Sequence, residues 1–590
     1  MKNLIVFLIL LQTLCLSGQV RIENADELRS LQQTSMETMY IHVNSPLFFP
    51  GEYLYYSIYN INASTYRLSN ISKIGYVELI DSDKNIVFEH KIILDQGRGQ
   101  GDFFVPASLP SGSYKLLGYT RWMLNGGIKQ LFSTDVAIVN PYQNNQPNNG
   151  IAANMDKKDI VKEENGKTPE FVDSTFAYTL NKKRFTTRDK IILGLKNYKS
   201  ALGYGNYSLS VRKKEELIKV REHTSVNFAK KYPNLKRTIP QKINDSIIIP
   251  EQTGELLAGQ VWNAETKEVM ANQSVAISLP GKDFVLRAVN TTENGIFYSY
   301  FKKEQSAENA FFQLMGNNSE NFEVKPLSKP NIEYSKLQFP TLEINPEMEK
   351  SIVKRSIYNQ IENAYFQIKQ DTIISMEYGV PFNGSIPDVF ILDEYTRFPT
   401  VRESLIEVVE NVGVKRQDGK LTAWVREDYE NNYTDYVDFP PVFLVNGLMV
   451  QNVEKLMEFD SNLVETISLV REKFVFAGKE YKGMIYIETK KGVGLEGILT
   501  NENIESLELF KAEVPKRYYN QSYDEMSMEK YKHIPDYRNQ LYWNPNFTVD
   551  NSNQVFEFYT SDISGVYEIT LNGFTTYGKP LTLTQTFVVE

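Results

Sequence analysis

Residues 440–492 read PPVFLVNGLMVQNVEKLMEFDSNLVETISLVREKFVFAGKEYKGMIYIETKKG. An apolar run, Val442–Val445, meets Asn446-Gly447, a dipeptide that favours a two-residue hairpin turn because both positions tolerate positive φ. Apolar residues at helical spacing follow over 453–459, and two β-branched runs, 465–471 and 483–489, close the stretch. The order predicts a small α/β domain over 376–495. Its earlier part carries a helix within 398–420, with Leu405, Val408 and Val409 on one face.

The stretch resembles the C-terminal half of the plug domain of TonB-dependent outer-membrane receptors, and 398–420 resembles the N-terminal half. In that family an apolar strand ends in an Asp-Gly turn, and a Gly-containing turn leads into an I-x-I-x-T-K-x-G strand. Here Asn446 stands for the Asp before Gly447, while Gly483, Ile485, Ile487, Thr489, Lys490 and Gly492 match. A receptor would continue into a membrane barrel of roughly 22 strands. Only about a hundred residues follow Gly492, too few at roughly 10 residues per tilted strand. The resemblance therefore implies a plug-like unit that works against a barrel on another polypeptide.

Outward from this unit the chain reads as tandem antiparallel β-sandwiches. Over 37–140, short β-like runs alternate with turn residues such as Pro50-Gly51 and Pro110-Ser111-Gly112. The words FFPGEYLYY and GRGQGDFFVPASLPSGSYKLLGYTRWML resemble the MG2 domain of α2-macroglobulin-like proteins in the form found in Bacteroidota. The residues that carry this are Pro50, Gly51, Glu52, Gly101, Phe103, Leu109, Gly112, Tyr114 and the Tyr119-Thr120-x-Trp122-Met123 ending. Residues 141–170, with QNNQPNNG and DKKDIVKEENGK, bury too little to offset ordering entropy and read as a linker or mobile loop. Residues 171–250 carry FTTRDKIILGLKN, which resembles a second macroglobulin-type sandwich. Residues 254–345, with Gly259 to Val261 and the Asn294-Gly295-x-Phe297 hairpin, resemble the carboxypeptidase-regulatory-like sandwich.

Residues 346–375 place Ile352, Ile357, Ile361, Tyr365 and Ile368 near helical spacing and predict a helical connector packed on a sheet. The last segment, 496–590, holds the DYRNQLYWNP word at 536–545 and a final β-set in which Phe556, Phe558 and Tyr567 alternate with polar residues. It reads as a C-terminal sandwich. The module order, with that word, resembles one exported multi-domain family of Bacteroidota.

The chain of 590 residues is too long for one core, and a prior of about 100–200 residues per domain suggests several units. Its 36 Tyr and 33 Phe against 4 Trp and 4 His fit a β-rich protein, and a net charge of −9 argues against nucleic acid. Lys2, an apolar run and small residues around Cys15 fit a secretory signal peptide over 1–18. Cys15 is the single cysteine. It is a lipidation candidate, although Leu14 before it is large for an acylation site. Three Asp-Ser/Thr-x words, at Asp173, Asp245 and Asp371, look like O-glycosylation sequons of that phylum.

No pattern points to catalysis, a cofactor or a metal. His42, His90, His223 and His533 fall in no H-E-x-x-H spacing. No G-x-S-x-G elbow is present, and with Cys15 in the expected leader the mature chain has no cysteine for the Cys-Gly-Glu-Gln thioester of protease-trapping macroglobulins to form on. The runs GRGQGD (97–102) and GVGLEG (492–497) lack the Lys-Ser/Thr of a phosphate loop and read as hairpin turns. Glu377, Asp388, Asp393 and Glu394 cluster in sequence as a solvated acidic face would. A hydrolase would need a converging carboxylate pair with raised pKa in a cleft. The strand with Tyr53, Tyr55, Tyr56 and Tyr59 could line a glycan site, although cross-strand packing accounts for it more simply.

The expectation is a mainly β, exported, non-enzymatic docking subunit at the outer membrane. The periplasmic side is favoured, the partner is a separate outer-membrane β-barrel protein, and the chain is not an isolated monomer. The insertion machinery for barrel proteins is favoured over a glycan importer or a secretion translocon. A glycan- or peptide-binding module is the alternative, and it requires a concave pocket lined with aromatic residues.

Overall fold

The computed structural model of the chain describes residues 20–143, 173–215, 217, 223–239, 241–302, 306–316, 321–327, 329–376, 378–417, 419–426, 439–493, 504–551 and 553–590. The leader expected over 1–18, Cys15 and most of the linker expected over 141–170 lie outside them. The protein is mainly β: mostly antiparallel sheets packed in tandem sandwiches, with two-residue parallel pairs at Leu47–Phe48 and Arg184–Phe185 and a longer parallel pair between Val442–Val445 and Lys479–Thr489. The chain divides into two compact units of interleaved segments. One comprises 24–252, 331–376 and 512–590, and the other holds 253–330 and 377–511.

The first unit contains two sandwiches. In one, strand Tyr53–Asn62 runs between Glu37–Val43 and Arg98–Phe104. This sheet packs on a second, ordered Leu47–Phe48, Phe132–Ile138, Gly112–Tyr119, Ile74–Ile80, Ile86–Ile93. Leu54, Tyr56 and Ile58 alternate into the shared core. Gly101 has to be glycine because an added Cβ would collide with the Tyr56 ring. The core also encloses a carboxylate, Glu37, that accepts from Asn60 Nδ2 (2.7 Å), Ser69 Oγ (2.6 Å), Ser72 N (3.1 Å) and Oγ (2.5 Å), and Thr120 Oγ1 (2.9 Å). A buried charge is tolerable only when satisfied in this way. The Tyr119–Met123 ending is thus a core word: Thr120 also caps the helix Arg121–Leu124, and the Trp122 indole donates to Ser35 O at 3.0 Å.

The second sandwich corrects the expectation of separate domains over 171–250 and 496–590. Lys190–Asn197 pairs with Phe176–Leu180 on one side and Asn553–Tyr559 on the other, while Gly205–Lys213 lies between Gln540–Val549 and Gly565–Thr575. The two stretches build one core. Strand pairing is set by hydrogen bonds between elements distant in sequence, so two half-sandwiches each look like a domain when read linearly. Within 223–250, Phe228 and Tyr232 join the core of the other sandwich.

The expected helix is Glu349–Ala364, and its packed face follows the apolar stripe at Ile352 but not at Ile357. Ile352, Ser356 and Asn359 are buried, whereas Ile357 is 49% exposed. Polar contacts fasten it: Arg355 pairs with both oxygens of Glu52 (2.7 and 2.8 Å) and with Glu215 (2.5 Å), and Asn359 donates to Glu52 at 3.0 Å.

In the other unit, Glu255–Asn263, Ile296–Phe301 and Phe322–Pro326 face a sheet of Val285–Asn290, Ser274–Leu279, Asn309–Leu314 and Ile504–Glu508. The sandwich expected over 254–345 therefore takes its last strand from beyond that range, and 331–345 belongs to the first unit. The stretch 440–492 supplies four strands of a mixed sheet whose border strand comes from earlier in the chain, ordered Asp388–Ile391, Val464–Phe476, Lys479–Thr489, Val442–Val445, Leu448–Met449. Val442–Val445 runs parallel to Lys479–Thr489, a geometry that requires a crossover. The helix Val453–Met457 lies within that crossover. The two long strands join through Ala477-Gly478, both at positive φ, so the hairpin extends well past the β-branched runs.

Candidate functional site

The plug-like motif residues come together as framework of the mixed unit. Asn446 and Gly447, at φ +50 and +87, make the two-residue turn between Val445 and Leu448. The Asn446 amide donates to Thr489 Oγ1 (2.7 Å) and its oxygen accepts from Thr489 N (2.9 Å), tying the turn to the end of the long strand. Gly483, at φ +84, sits where the hairpin register shifts and packs against Val425. Ile485 and Ile487 fill the core, the Lys490 ammonium lies 3.8 Å from Asp393, and Gly492 occupies a turn.

At one border of this sheet the strand Asp388–Ile391 pairs only with Val464–Phe476 among the described residues. Its other edge is unpaired among the described residues, and apolar side chains flank it in water. Ile386 is 92% exposed and Val389 55%, with Val380 and Ile391 also exposed. Natural sheets normally blunt such an edge with charges or proline, and here Pro387 and Asp388 stand only at its start, leaving Val389 to Ile391 without either. The sequence reading did not single out this strand, though PDVFILDEY carries its signal: an apolar run with no opposing polar face.

Among the described residues the remaining candidates do not converge on one site. Asp388 faces Arg471 at 3.8 Å and Asp393 pairs with Arg397, while Glu377 lies outside the described residues. GRGQGD forms a hairpin turn and the start of strand Arg98–Phe104; most of GVGLEG lies outside the described residues. His42 Nδ1 is 2.6 Å from Ser208 Oγ, the distance of a base and a nucleophile, but both are buried. Burial drives the His42 pKa down to about 3 and the His90 pKa to about 4. Among the described residues no group of His, Cys, Asp and Glu could hold a metal ion, and no helix is long and apolar enough to cross a membrane.

A concave site exists in the first unit. A pocket of about 170 Å³ opens between the start of strand Tyr53–Asn62, the end of helix Glu349–Ala364, residues 366–371, Tyr518-Tyr519 and the DYRNQLYW word. Tyr53 and Tyr55 stack at 5.6 Å, Phe366 stacks on Tyr53 at 6.1 Å, and Trp543 stacks on Tyr55 at 6.1 Å. Of the four tyrosines in that strand, Tyr53 and Tyr55 line the pocket while Tyr56 and Tyr59 are core. Two carboxylates share the walls. Glu362 accepts from Lys369 Nζ (2.7 Å) and from Tyr537 N; Asp371 accepts from Tyr519 N (2.8 Å). Burial raises the pKa of both, with Asp102 adding to the effect at Asp371 and Asp536 at Glu362. This is the paired acidity that a hydrolase would require, but the Glu362 carboxylate is already held by an ammonium and an amide.

No protein-family model and no curated protein matches this chain. Among solved structures, it is similar to Escherichia coli alpha-2-macroglobulin activated by porcine elastase, at 8% identity over 94% of this chain and 44% of that one, with TM-score 0.23. Salmonella alpha-2-macroglobulin reacted with methylamine gives 8% identity over 97% and 40%, also at 0.23. A tetra-tandem repeat in the extending region of a large adhesion protein gives 7% over 94% and 99%, at 0.13. The chain spans less than half the length of these macroglobulins. TM-scores this low carry no argument, so the β-sandwich description rests on the strand pairings themselves.

Proposed function

We propose that the chain is a non-enzymatic docking subunit that holds a separate β-barrel protein of the outer membrane through the mixed sheet of 376–495. The observation that carries this reading is the edge of Asp388–Ile391, unpaired among the described residues, with Ile386 and Val389 exposed beside it. Strand addition to such an edge supplies main-chain hydrogen bonds, and alternate apolar side chains supply specificity. The plug-like words of 440–492 favour a barrel as the strand donor, and the machinery that inserts barrel proteins is favoured over a glycan importer or a secretion translocon. In this reading the chain is exported, works on the periplasmic side, and is held at the membrane by its partner or by an acyl chain on Cys15. Purification of the tagged full chain from native membranes tests it. A stoichiometric barrel protein that is lost in the Val389→Lys variant supports the reading; a chain that leaves the membrane alone contradicts it.

A further inference from the structure

The aromatic pocket has no part in docking through the mixed sheet, and one carboxylate on its walls is only partly satisfied. Asp371, half-buried, accepts one N–H and has no ion-pair partner among the described residues. The indole nitrogen of Trp543 is fully buried, so that residue offers the pocket its ring, stacked on Tyr55. The parallel rings of Tyr53 and Tyr55 line the same walls. A ligand that completes this site needs a donor for a carboxylate and an apolar face for phenol rings.

Charge narrows the class. Arg212, Lys369 and Arg538 line the same pocket as Glu52, Glu362 and Asp371, so an ammonium group and a phosphate would each meet like charges. A neutral ligand meets neither penalty. An added peptide strand is excluded on the Tyr53–Asn62 wall. That strand is paired on both sides, and the Asn44 side chain extends the pairing by accepting from Tyr55 N (2.9 Å) and donating to Tyr53 O (3.3 Å).

We propose that this pocket holds one ring of a neutral oligosaccharide, its C–H face against Tyr53 and Tyr55 and a hydroxyl donating to Asp371. Hydroxyls donate and accept at once, and a pyranose has an apolar face. The volume is below that of drug-sized sites, roughly 300–1,000 Å³, and suits a single ring with the rest of the glycan outside.

The test is calorimetric titration of the full chain with neutral glucan, mannan and galactan oligosaccharides, with an uncharged and a lysine-rich peptide as comparators. The expected result is saturable binding of at least one oligosaccharide, weakened about tenfold or more by Asp371→Asn and by Tyr53→Ala. Unchanged thermal midpoints show that the variants fold. Absence of oligosaccharide binding at about 10 mM, where even millimolar affinity would register, would overturn the proposal. So would binding that survives Asp371→Asn and Tyr53→Ala together, or saturable binding of a peptide alone.

Discussion

Two strands of this protein, Tyr53–Asn62 and Asp388–Ile391, answer opposite demands with similar apolar sequences. Tyr53–Asn62 is central in its sheet, and both its faces are covered: Tyr56 enters the sandwich core, while Ser57 and Tyr59 on the other face donate to Pro545 O and Asn572 O. Asp388–Ile391 is an edge with one paired side and apolar residues in water. The first is closed by its own chain except at Tyr53 and Tyr55. The second leaves one side unpaired among the described residues. The difference teaches that composition does not distinguish a strand sealed inside the fold from one left open at an edge. What separates them is whether the main-chain groups are already bonded.

The contrast breaks hardest at the closed strand. Glu37→Ala should destabilise the unit around Tyr53–Asn62 by about 3–5 kcal/mol, because it leaves buried hydroxyl and amide donors without their acceptor. A fall of less than about 1 kcal/mol in denaturant unfolding would show that the network is dispensable. Acid should reach the same unit next. His42 and His90 have folded pKa values of about 3 and about 4, below the unfolded 6.5. The unfolded state therefore takes up protons first as pH drops below about 6.5, and stability should fall by about 1.4 kcal/mol per pH unit for each histidine until its folded value is reached. Above that window neither contributes. His42→Gln should remove one proton's worth of slope, and an unchanged slope would place the titration elsewhere.

In the mixed unit the effects should be smaller. Asn446→Ala loses a residue that tolerates φ +50 together with both contacts to Thr489, and should cost about 1–3 kcal/mol. Val389→Lys should leave stability within about 0.5 kcal/mol, as a substitution at an exposed site does. A larger loss on unfolding would mean that the edge is already paired within the chain.

The sequence made the local words legible and left the pairing partners hidden. Asn446-Gly447 announced its turn because few residues accept positive φ twice in succession, and 440–492 announced an α/β unit because its periodicity changes along the run. The MG2-type words were legible as a sandwich because Gly101, Thr120 and Trp122 each answer a packing need. The merger of 171–250 with 496–590 was not legible, since nothing in IILGLKN names Val555 to Phe558 as its neighbour. Helix Glu349–Ala364 was found, with Ile352 buried as the stripe predicts and Ile357 exposed against it; what the stripe did not announce is the Arg355 ion-pair network that also fastens it. The pocket was half-visible. The tyrosine-rich strand and the DYRNQLYWNP word both stood out, yet only the fold brings Tyr53 and Tyr55 to Trp543, and Asp371 drew notice for a different motif.

Site-specific photocrosslinking from position 389 in native cells tests the central claim most directly. The account predicts one dominant adduct between this chain and an outer-membrane β-barrel protein, with no comparable adduct from a control position on the covered strand Tyr53–Asn62. A probe at 389 that yields only uncrosslinked chain, or only crosslinks within the same chain, would contradict it.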